Sequence, residues 1–356
     1  MLMSDYDYEL PPELIAQTAA EPRDSSRLQV LDREHHTVTH RPSFRSILEY
    51  LRPGDALVVN ESKVIPARVY GRKAGTGGQV ELLLLRPAPQ EMQTGESGLQ
   101  PTVWEALVRP GRGMRPGATL IFGPAGDELG AEVVGEAPSG GRYIAFSEAP
   151  LPFLDRHGEM PLPPYIHQRP ADQSRYQTVY ANPGAPGSAA APTAGLHFTS
   201  DLLEEVVRRG VSLERVLLHV GLDTFQPVKE ENALEHKMHS EWCNIDAATA
   251  ARLNTTREQG GRVIAVGTTA VRTLETAYNP ESNRIEGFAG ETRLFLYPGK
   301  QLKAIDALIT NFHLPRSTLL LLVSAFAGRE FMLQAYNEAV QERYRFFSFG
   351  DAMFIF

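Results

Sequence analysis

Four segments of the chain place titratable, hydroxyl or amide side chains beside turn residues. They are Ala189–Phe198, His236–Glu241, Gly267–Glu275 and Thr310–Leu319. Histidine, threonine, asparagine and arginine side chains can transfer protons or bind anions, and the ends of helices and strands are rigid places to hold them. We therefore predict that the four segments form the walls of one site.

The segment Arg262–Glu275 predicts a buried strand that turns at Gly267 into a helix capped by Thr268 or Thr269. The free N–H groups and the positive dipole end of such a helix suit a carboxylate or a phosphate. Arg272 and Glu275, three residues apart, share one helix face, so a surface ion pair of small energy is the alternative. Because no polar residue interrupts the strand and two threonines follow it, we favour a binding site.

Two isolated histidines are candidates for proton transfer. His197 precedes a predicted helix with a Ser200 cap, and a helix N-terminus would lower its pKa and favour the neutral imidazole. His313 lies in a turn that Pro315 prevents from continuing as a helix. Either histidine could instead be structural, with its ring bonded to a nearby carbonyl group.

His236 and His239 lie three residues apart, with Glu241 close behind. On a helix they could form half of a metal site, but the chain has no HExxH pattern. We expect proton transfer or contact with anionic or carbonyl groups, and we expect it for His239 more than for His236, which fits a solvent-facing position.

The remaining pattern indicates the elements that position these segments. Residues 44–51 predict a helix and Ala56–Asn60 a buried strand, and helices at 201–209 and 247–259 alternate with strands at 213–220, 262–266, 294–297 and 304–309. Such alternation is typical of an α/β layer. The Pro- and Gly-rich residues 183–192 predict a surface loop that leads into the site.

A different pattern fills the middle of the chain. Short apolar runs separated by Gly and Pro, at 80–85, 103–108, 118–122, 131–134 and 143–146, are typical of a small barrel or sandwich. Gly75–Gly78 lacks the lysine of a phosphate loop and predicts a hairpin turn. We predict a discontinuous α/β main domain, residues 1–63 and 150–356, with an inserted small β-barrel domain, residues 64–149.

Composition narrows the functional classes. The 356-residue chain has a single cysteine, Cys243, which excludes an intramolecular disulfide and a zinc site built mainly from thiolates. The N-terminus is acidic, unlike a signal peptide, and the most apolar run, Leu319–Ala327, is much shorter than the ~20 residues that span a bilayer. We expect a cytoplasmic protein with no membrane partner.

Charge is unevenly distributed. The formal net charge of −8 argues against indiscriminate nucleic-acid binding. Residues Ser62–Arg115, however, contain eight basic and four acidic side chains, a local balance of +4. This segment is a candidate surface for a polyanion, and the solvated rim of an ordinary β domain is the alternative.

These segments resemble, nearly letter for letter, the S-adenosylmethionine:tRNA ribosyltransferase-isomerases of queuosine biosynthesis. The resemblance extends beyond the four segments to Tyr8–Gln17, Arg23–Arg27, Asn60–Arg68, Gly158–Ile166, Tyr176–Ala181 and Tyr344–Met353. The chain departs from the family pattern at Pro186–Ser188, which looks like additional loop, at Asp223, where the family usually has glycine, and at Lys63 and Arg316, which exchange one basic residue for the other.

The resemblance implies an enzyme that transfers and isomerises the ribosyl group of S-adenosylmethionine. The implied acceptor is 7-aminomethyl-7-deazaguanine at the wobble position of a tRNA, and the products are epoxyqueuosine-tRNA, adenine and methionine. It implies S-adenosylmethionine as co-substrate, no metal, and a monomer whose partner is a tRNA carrying the modified base in its anticodon. The basic middle segment, with Arg109 and Arg112, would contact that tRNA.

The resemblance also suggests roles for individual residues. The implied catalytic set is His197, His239, His313 and Glu275, with His197 or His239 as base or acid. The implied set for S-adenosylmethionine is Thr193, Gly195, Phe198, Thr268, Thr269, Arg272, Asn311 and Phe312. Within it, Thr268, Thr269 and Arg272 would bind the methionyl carboxylate, and Phe198 or Phe312 would face the sulfonium.

Two other functional classes remain as alternatives. One is a metal-dependent hydrolase centred on His236, His239 and Glu241. The other is a non-catalytic RNA-binding protein in which the four segments belong to the core.

Overall fold

The computed structural model describes residues 1–93, 102–137, 140–168, 172–221, 228 and 230–356. The α-helices are α1 Pro150–His157, α2 Ser200–Arg208, α3 Ala247–Glu258, α4 Gly267–Ala277, α5 Thr318–Ala327 and α6 Arg329–Gln341. Short 3₁₀ helices span Met3–Tyr6, Pro12–Leu14, Arg23–Ser25, Phe44–Glu49, Gln90–Met92, Gln173–Tyr176, Thr193–His197 and Ala233–Glu235.

The strands, in chain order, are β1 Leu28–Asp32, β2 Thr37–Arg41, β3 Ala56–Asn60, β4 Lys63–Val64, β5 Arg68–Lys73, β6 Gln79–Pro87, β7 Val103–Arg109, β8 Thr119–Phe122, β9 Leu129–Glu136, β10 Arg142–Phe146, β11 Pro186–Ser188, β12 Ser212–Leu218, β13 Glu241–Ile245, β14 Val263–Val266, β15 Tyr278–Asn279, β16 Arg284–Ile285, β17 Phe288–Thr292, β18 Ala307–Asn311 and β19 Ala352–Ile355.

The chain forms two compact units. The first comprises Met1–Ser62, Pro164–Ala185 and Ala191–Phe356, and the second comprises Lys63–Pro163 and Pro186–Ala190. The predicted division into functional domains at 63/64 and 149/150 stays a prediction. The predicted fold class, α/β with a small β-barrel, is confirmed by the two sheets that these units contain.

The first unit is built on one large mixed sheet. Its strand order, within the described residues, is β17-β13-β12-β3-β14-β18-β19-β1-β2. The central neighbours β12, β3, β14 and β18 run parallel. Parallel strands buried on both faces carry continuous apolar sequence, and every residue of the central strand Ala56–Asn60 is buried.

Each face of this sheet has its own hydrophobic core. Successive side chains of a strand point to opposite faces, so Val58 joins the core under α4, α5 and α6, while Leu57 and Val59 join the core that contains Leu202 of α2. The apolar residues of β14 and β18 divide in the same way. This double burial holds the ends of the central strands rigidly in place.

The second unit contains a closed antiparallel barrel with strand order β10-β7-β6-β5-β8-β9. Because the barrel is closed, each of its described strands pairs on both sides. The predicted hairpin turn at Gly75–Gly78 is confirmed, because it joins the antiparallel pair β5 and β6. The five barrel strands predicted from the sequence all form, with bounds shifted by a few residues.

Several predicted details were wrong. Residues 294–297 form no strand, because the backbone of Leu294 bonds to the side chains of Thr292 and Arg272 rather than to a neighbouring strand. Helix α2 is capped by Thr199, not Ser200: the Thr199 hydroxyl accepts a hydrogen bond from the Leu202 amide at 3.1 Å. Local polar bonds that compete with sheet and cap geometry explain both errors.

The predicted surface loop at residues 183–192 was also wrong in its second half. Residues 187–192 are buried, and Pro186–Ser188, expected to be additional loop, pairs as β11 with β4. Small side chains permit such close packing of the backbone. Asp223 lies outside the described residues.

No single described helix is long and apolar enough to span a membrane. Helices α5 and α6 reach the required length and composition only when they are counted together across their 115° bend.

Candidate functional site

The principal cavity lies where two parallel strands end. Strand β14 ends at Val266 and its neighbour β18 ends at Asn311, and both chains continue into residues that line the cavity. In open α/β sheets, ligands bind in the crevice outside the carboxyl ends of the strands. The cavity measures about 620 Å³ including its open mouth, and its wall is mostly apolar with a few polar groups.

One wall is the first turn of α4. Gly267 has φ of 85°, and a Cβ there would lie 3.4 Å from the Cβ of Ala194, so the turn favours glycine. The predicted threonine cap was wrong: the N-cap residue is Val266, which makes no side-chain bond, and Thr268 and Thr269 lie within the first turn. Both threonines line the cavity, and the Thr269 Oγ1 has no hydrogen-bond partner within the described residues.

Residues 310–314 form another part of the wall. Asn311 donates from its Nδ2 to the Phe347 carbonyl oxygen at 2.9 Å, while its Oδ1 is buried and unpartnered within the part of the chain that is described. Phe312 is one of the residues around the cavity, but its ring is fully buried and packs against Phe346 at a centroid distance of 4.8 Å. Thr193 lines the cavity as well.

His313 is a cavity residue. Its Nε2 lies 3.0 Å from the Thr310 hydroxyl, its backbone N–H donates to the Tyr336 hydroxyl, and its carbonyl oxygen accepts from the Tyr8 hydroxyl. Burial lowers the pKa of His313 to about 3, because the charged imidazolium would lose its water there. The ring is therefore neutral at pH 7.

His197 does not line the principal cavity. It ends the 3₁₀ helix Thr193–His197, and its Nδ1 lies 2.7 Å from the Ser26 hydroxyl. Its pKa is lowered to about 3 as predicted, but the main cause is burial, followed by the charge of Arg345. The side chain of Asn311 raises the pKa of His197. No hydrogen bond of normal geometry joins the Asn311 Oδ1 to the His197 Nε2 within the described chain.

Arg272 is buried one turn below the threonines and pairs with Glu241 rather than with Glu275. Its Nη1 donates to the Glu241 Oε2, and its Nη2 has no partner among the residues described. Burial lowers the pKa of Arg272 to about 10. The Glu241 Oε1 lies 3.3 Å from the His239 Nε2 and accepts from the Gly221 amide at 2.9 Å. Gly221 follows Val220, which lines the cavity.

Three further predicted residues lie away from the cavity. Glu275 accepts from the backbone amides of Lys303 and Ala304 at 3.0 and 2.8 Å, so it anchors a loop. Phe198 is fully buried in the core. Gly195 is packed so closely that a Cβ would lie 1.9 Å from the Tyr180 Oη.

The arrangement expected for a metal site is not found. His236 and His239 do not share a helix: they follow the short helix Ala233–Glu235 in an irregular segment, and His236 Nδ1 pairs with Glu230 at 3.0 Å. Within the described residues, no group of three or more His, Cys, Asp or Glu side chains could hold a metal ion.

Comparison with known proteins identifies the family of this chain. The sequence model of a family described as "Queuosine biosynthesis protein" matches residues 3–355. The chain belongs to the queuosine biosynthesis protein family. It is 56% identical to a protein of Moorella thermoacetica and 52% identical to one of Symbiobacterium thermophilum, each compared over 100% of both chains. Both relatives are named S-adenosylmethionine:tRNA ribosyltransferase-isomerase.

A solved structure shows the same fold. The crystal structure described as an S-adenosylmethionine tRNA ribosyltransferase from Thermotoga maritima is 42% identical to this chain. The match covers 99% of this chain and 100% of that chain, with a TM-score of 0.55. These relatives support neither the hydrolase nor the non-catalytic alternative.

In this member of the queuosine biosynthesis family, Glu241 is the residue whose contacts the sequence did not reveal. It was considered only as a metal ligand, yet it joins Arg272 and His239 in one buried cluster. Its position in the strand is consistent with these contacts. Buried and more exposed residues alternate along Glu241–Ile245, and Glu241 is one of the buried ones.

Proposed function

We propose that the chain is an S-adenosylmethionine:tRNA ribosyltransferase-isomerase and that the principal cavity binds its S-adenosylmethionine. The observation that carries the assignment is the uncapped N-terminus of α4 in the cavity wall, with an unpartnered Thr269 hydroxyl beside it. Free helix N–H groups and a hydroxyl are suitable partners for the methionyl carboxylate. The full-length similarity to relatives of that name supports the same assignment.

The rest of the donor fits the remaining walls. The unoccupied Nη2 of Arg272 adds positive charge behind the threonines, within the described part of the site. The assignment of Phe312 to the sulfonium stays a prediction from the sequence, because its ring is 1% exposed and packs against Tyr344 and Phe346. Asn311 Oδ1 is a ready acceptor for a hydroxyl or amino group of the nucleoside.

The first step of the proposed reaction removes a proton from the donor. A sulfonium acidifies the neighbouring C5′–H, so a base that removes this proton generates an ylide, and ring opening with loss of adenine follows. We assign the base to His239, because the Glu241 carboxylate beside it stabilises the protonated imidazole. His197 and His313, both neutral because of burial, are better suited to hydrogen bonding than to this step.

The acceptor completes the proposal. The amino group of 7-aminomethyl-7-deazaguanine at the tRNA wobble position receives the isomerised ribosyl group, giving epoxyqueuosine-tRNA, adenine and methionine. The enzyme acts without a metal, as a monomer, in the cytoplasm where both substrates occur. Size-exclusion chromatography with light scattering tests the oligomeric state.

Exposed arginines of the barrel are proposed to contact the tRNA. Arg109 and Arg112 are exposed, and the side chain of Lys73 lies beside the Arg112 carbonyl. We expect Arg109→Ala with Arg112→Ala to weaken tRNA binding and to flatten its salt dependence. Unchanged affinity would count against this placement.

Adenine release tests the function directly. Purified protein is incubated with S-adenosylmethionine and tRNA that carries or lacks the aminomethyl base, and free adenine is quantified. Adenine is expected only with the modified tRNA. His239→Asn should lower the single-turnover rate by about 10²- to 10⁴-fold, the usual contribution of a general base.

His236→Asn is the matched control, because His236 lies in the same segment and pairs with a carboxylate away from the cavity. It should retain the wild-type rate. Absence of adenine with wild-type protein would refute the function, whereas equal rates for the two histidine variants would refute only the assignment of the base.

A further inference from the structure

A second, smaller cavity in the first unit is lined by two arginines and, among the described residues, by no carboxylate. Its wall includes Arg23, Arg175, Ser26, His197 and Ser348, and we call it the Arg23 cavity. Its enclosed volume is about 10 Å³, enough for one oxygen atom of a larger ligand, and its open mouth brings the space to about 250 Å³.

The two guanidinium groups are held in place by backbone oxygens. Arg23 Nη2 donates to the Ser174 carbonyl at 3.1 Å, and Arg175 Nη2 donates to the Ala20 carbonyl at 2.6 Å. Neutral carbonyl groups orient the arginines, and the charges of Glu21 and Asp172 also act on Arg23. Glu21 lies 3.2 Å from Arg175, but its side chain is 76% exposed and therefore well screened by water.

The arginines repel one another. The pKa of Arg23 is lowered first by burial and then by the nearby charge of Arg175. Arg345 contributes further positive potential, since its charge lowers the pKa of His197 in the same wall. Like charges gathered around a cavity are relieved when an anion enters between them.

Hydroxyl and imidazole groups complete the wall. Ser26 Oγ lies 2.7 Å from the His197 Nδ1 and 3.4 Å from the Arg23 carbonyl, so its proton is best placed on the histidine bond. The neutral His197 then carries its own proton on Nε2, which is buried, and the side chain of Asn311 lies close enough to raise the pKa of His197.

The Arg23 cavity adjoins the principal cavity. Ser348 lines both, and its hydroxyl lies 2.7 Å from the Tyr165 hydroxyl, which belongs to a residue of the principal cavity. A group bound in the Arg23 cavity would therefore be a neighbour of the reacting nucleoside.

We propose that the Arg23 cavity is a phosphate subsite that receives a backbone phosphodiester of the tRNA next to the reacting base. This inference rests on the proposed function. The planar forks of Arg23 and Arg175 match the geometry of phosphate oxygens. Ser26 and His197, which are bonded to each other, complete the wall beside the two arginines.

The test measures tRNA binding at several salt concentrations for wild type, Arg23→Gln and Arg175→Gln. Loss of a charged hydrogen-bond partner should raise the Kd for tRNA at least about tenfold. The slope of log affinity against log salt should fall by about 0.7 for each lost phosphate contact. Arg208→Gln, a 67%-exposed arginine on α2, is the matched control and should leave both quantities unchanged.

Further measurements distinguish a tRNA phosphate from the carboxylate of the donor. The Kd for S-adenosylmethionine should be unchanged in both variants; a weakened Kd would mean that the cavity holds the donor carboxylate and would overturn the proposal. Inorganic phosphate should compete with tRNA for wild type but not for Arg175→Gln. Binding of inorganic phosphate to the wild type, together with unaltered tRNA binding in both variants, would also overturn the proposal.

Folding and activity are checked separately. Arg23→Lys keeps the charge and one donor, so an intermediate tRNA Kd is expected even if Arg23→Gln unfolds. Wild-type adenine release is measured in parallel: its absence would refute the proposed function, while the tRNA affinities and salt slopes still decide the phosphate subsite.

Discussion

The buried pair of Arg272 and Glu241 permits the sharpest prediction. Arg272→Met would remove the arginine partner of the Glu241 carboxylate, which is 3% exposed. Breaking a buried ion pair costs about 3–5 kcal/mol. For 356 residues, an unfolding entropy of about 2.1 cal/mol/K per residue converts this loss into a Tm decrease of about 4–7 °C.

The double variant separates structure from binding. Glu241→Gln removes the charge but keeps an oxygen for the Gly221 amide, so Arg272→Met with Glu241→Gln should recover most of the lost stability. The affinity for S-adenosylmethionine should not recover. A lost hydrogen bond to a charged group costs about 1.5–3 kcal/mol, which corresponds to a roughly 10- to 150-fold higher Kd.

The assays are calorimetric unfolding and isothermal titration with S-adenosylmethionine. A Tm change below about 1 °C for Arg272→Met would show that the pair is exposed to water, as a surface ion pair would be. Recovery of donor affinity in the double variant would show that Arg272 supports the site only through folding. Either result would refute the reasoning.

The other predictions concern single residues of the first unit. Thr269→Val should leave Tm unchanged and raise the Kd for S-adenosylmethionine about tenfold or more, since the Oγ1 has no other partner in the described chain; a wild-type Kd would contradict this. Gly195→Ala should cost about 1–3 kcal/mol of stability through contact with Tyr180, partly restored by Tyr180→Phe; full stability with lost donor binding would instead make Gly195 a ligand contact. The pKa of His313 falls from 6.5 to about 3 on folding, so its contribution is present above pH 6.5 and is lost as the pH falls toward 3, by up to about 1.4 kcal/mol per pH unit. Urea unfolding between pH 7.5 and 4 should show a shallower pH slope for His313→Gln than for wild type, and equal slopes would disprove the burial of this ring.

Local signals predicted most of the secondary structure. The buried strand Ala56–Asn60 and the short strands of the barrel were predicted correctly because apolar runs and turn residues are visible in neighbouring positions of the sequence. The strand-to-helix turn at Gly267 was found for the same reason. Boundaries and caps were less predictable, since Thr199 and Val266 took cap positions that nearby hydroxyl residues could equally have filled.

The candidate site was only partly predictable. The sequence singled out the segments that hold Thr268, Asn311 and His313, and these do meet in one cavity. It could not show that Glu275 would bind backbone amides while Glu241, 31 residues from Arg272, became its partner. Helix periodicity reveals neighbours on one element, but not those on another.

The sequence by itself therefore determined the elements, the family resemblance and the kinds of side chain at the site. The tertiary structure alone decided which of them share a cavity and which carry charge. Burial of His197 and His313, and the gathering of Arg23 and Arg175 around one small cavity, arise when distant segments pack together. The cost of removing a charged group from water depends on that packing, which no local pattern records.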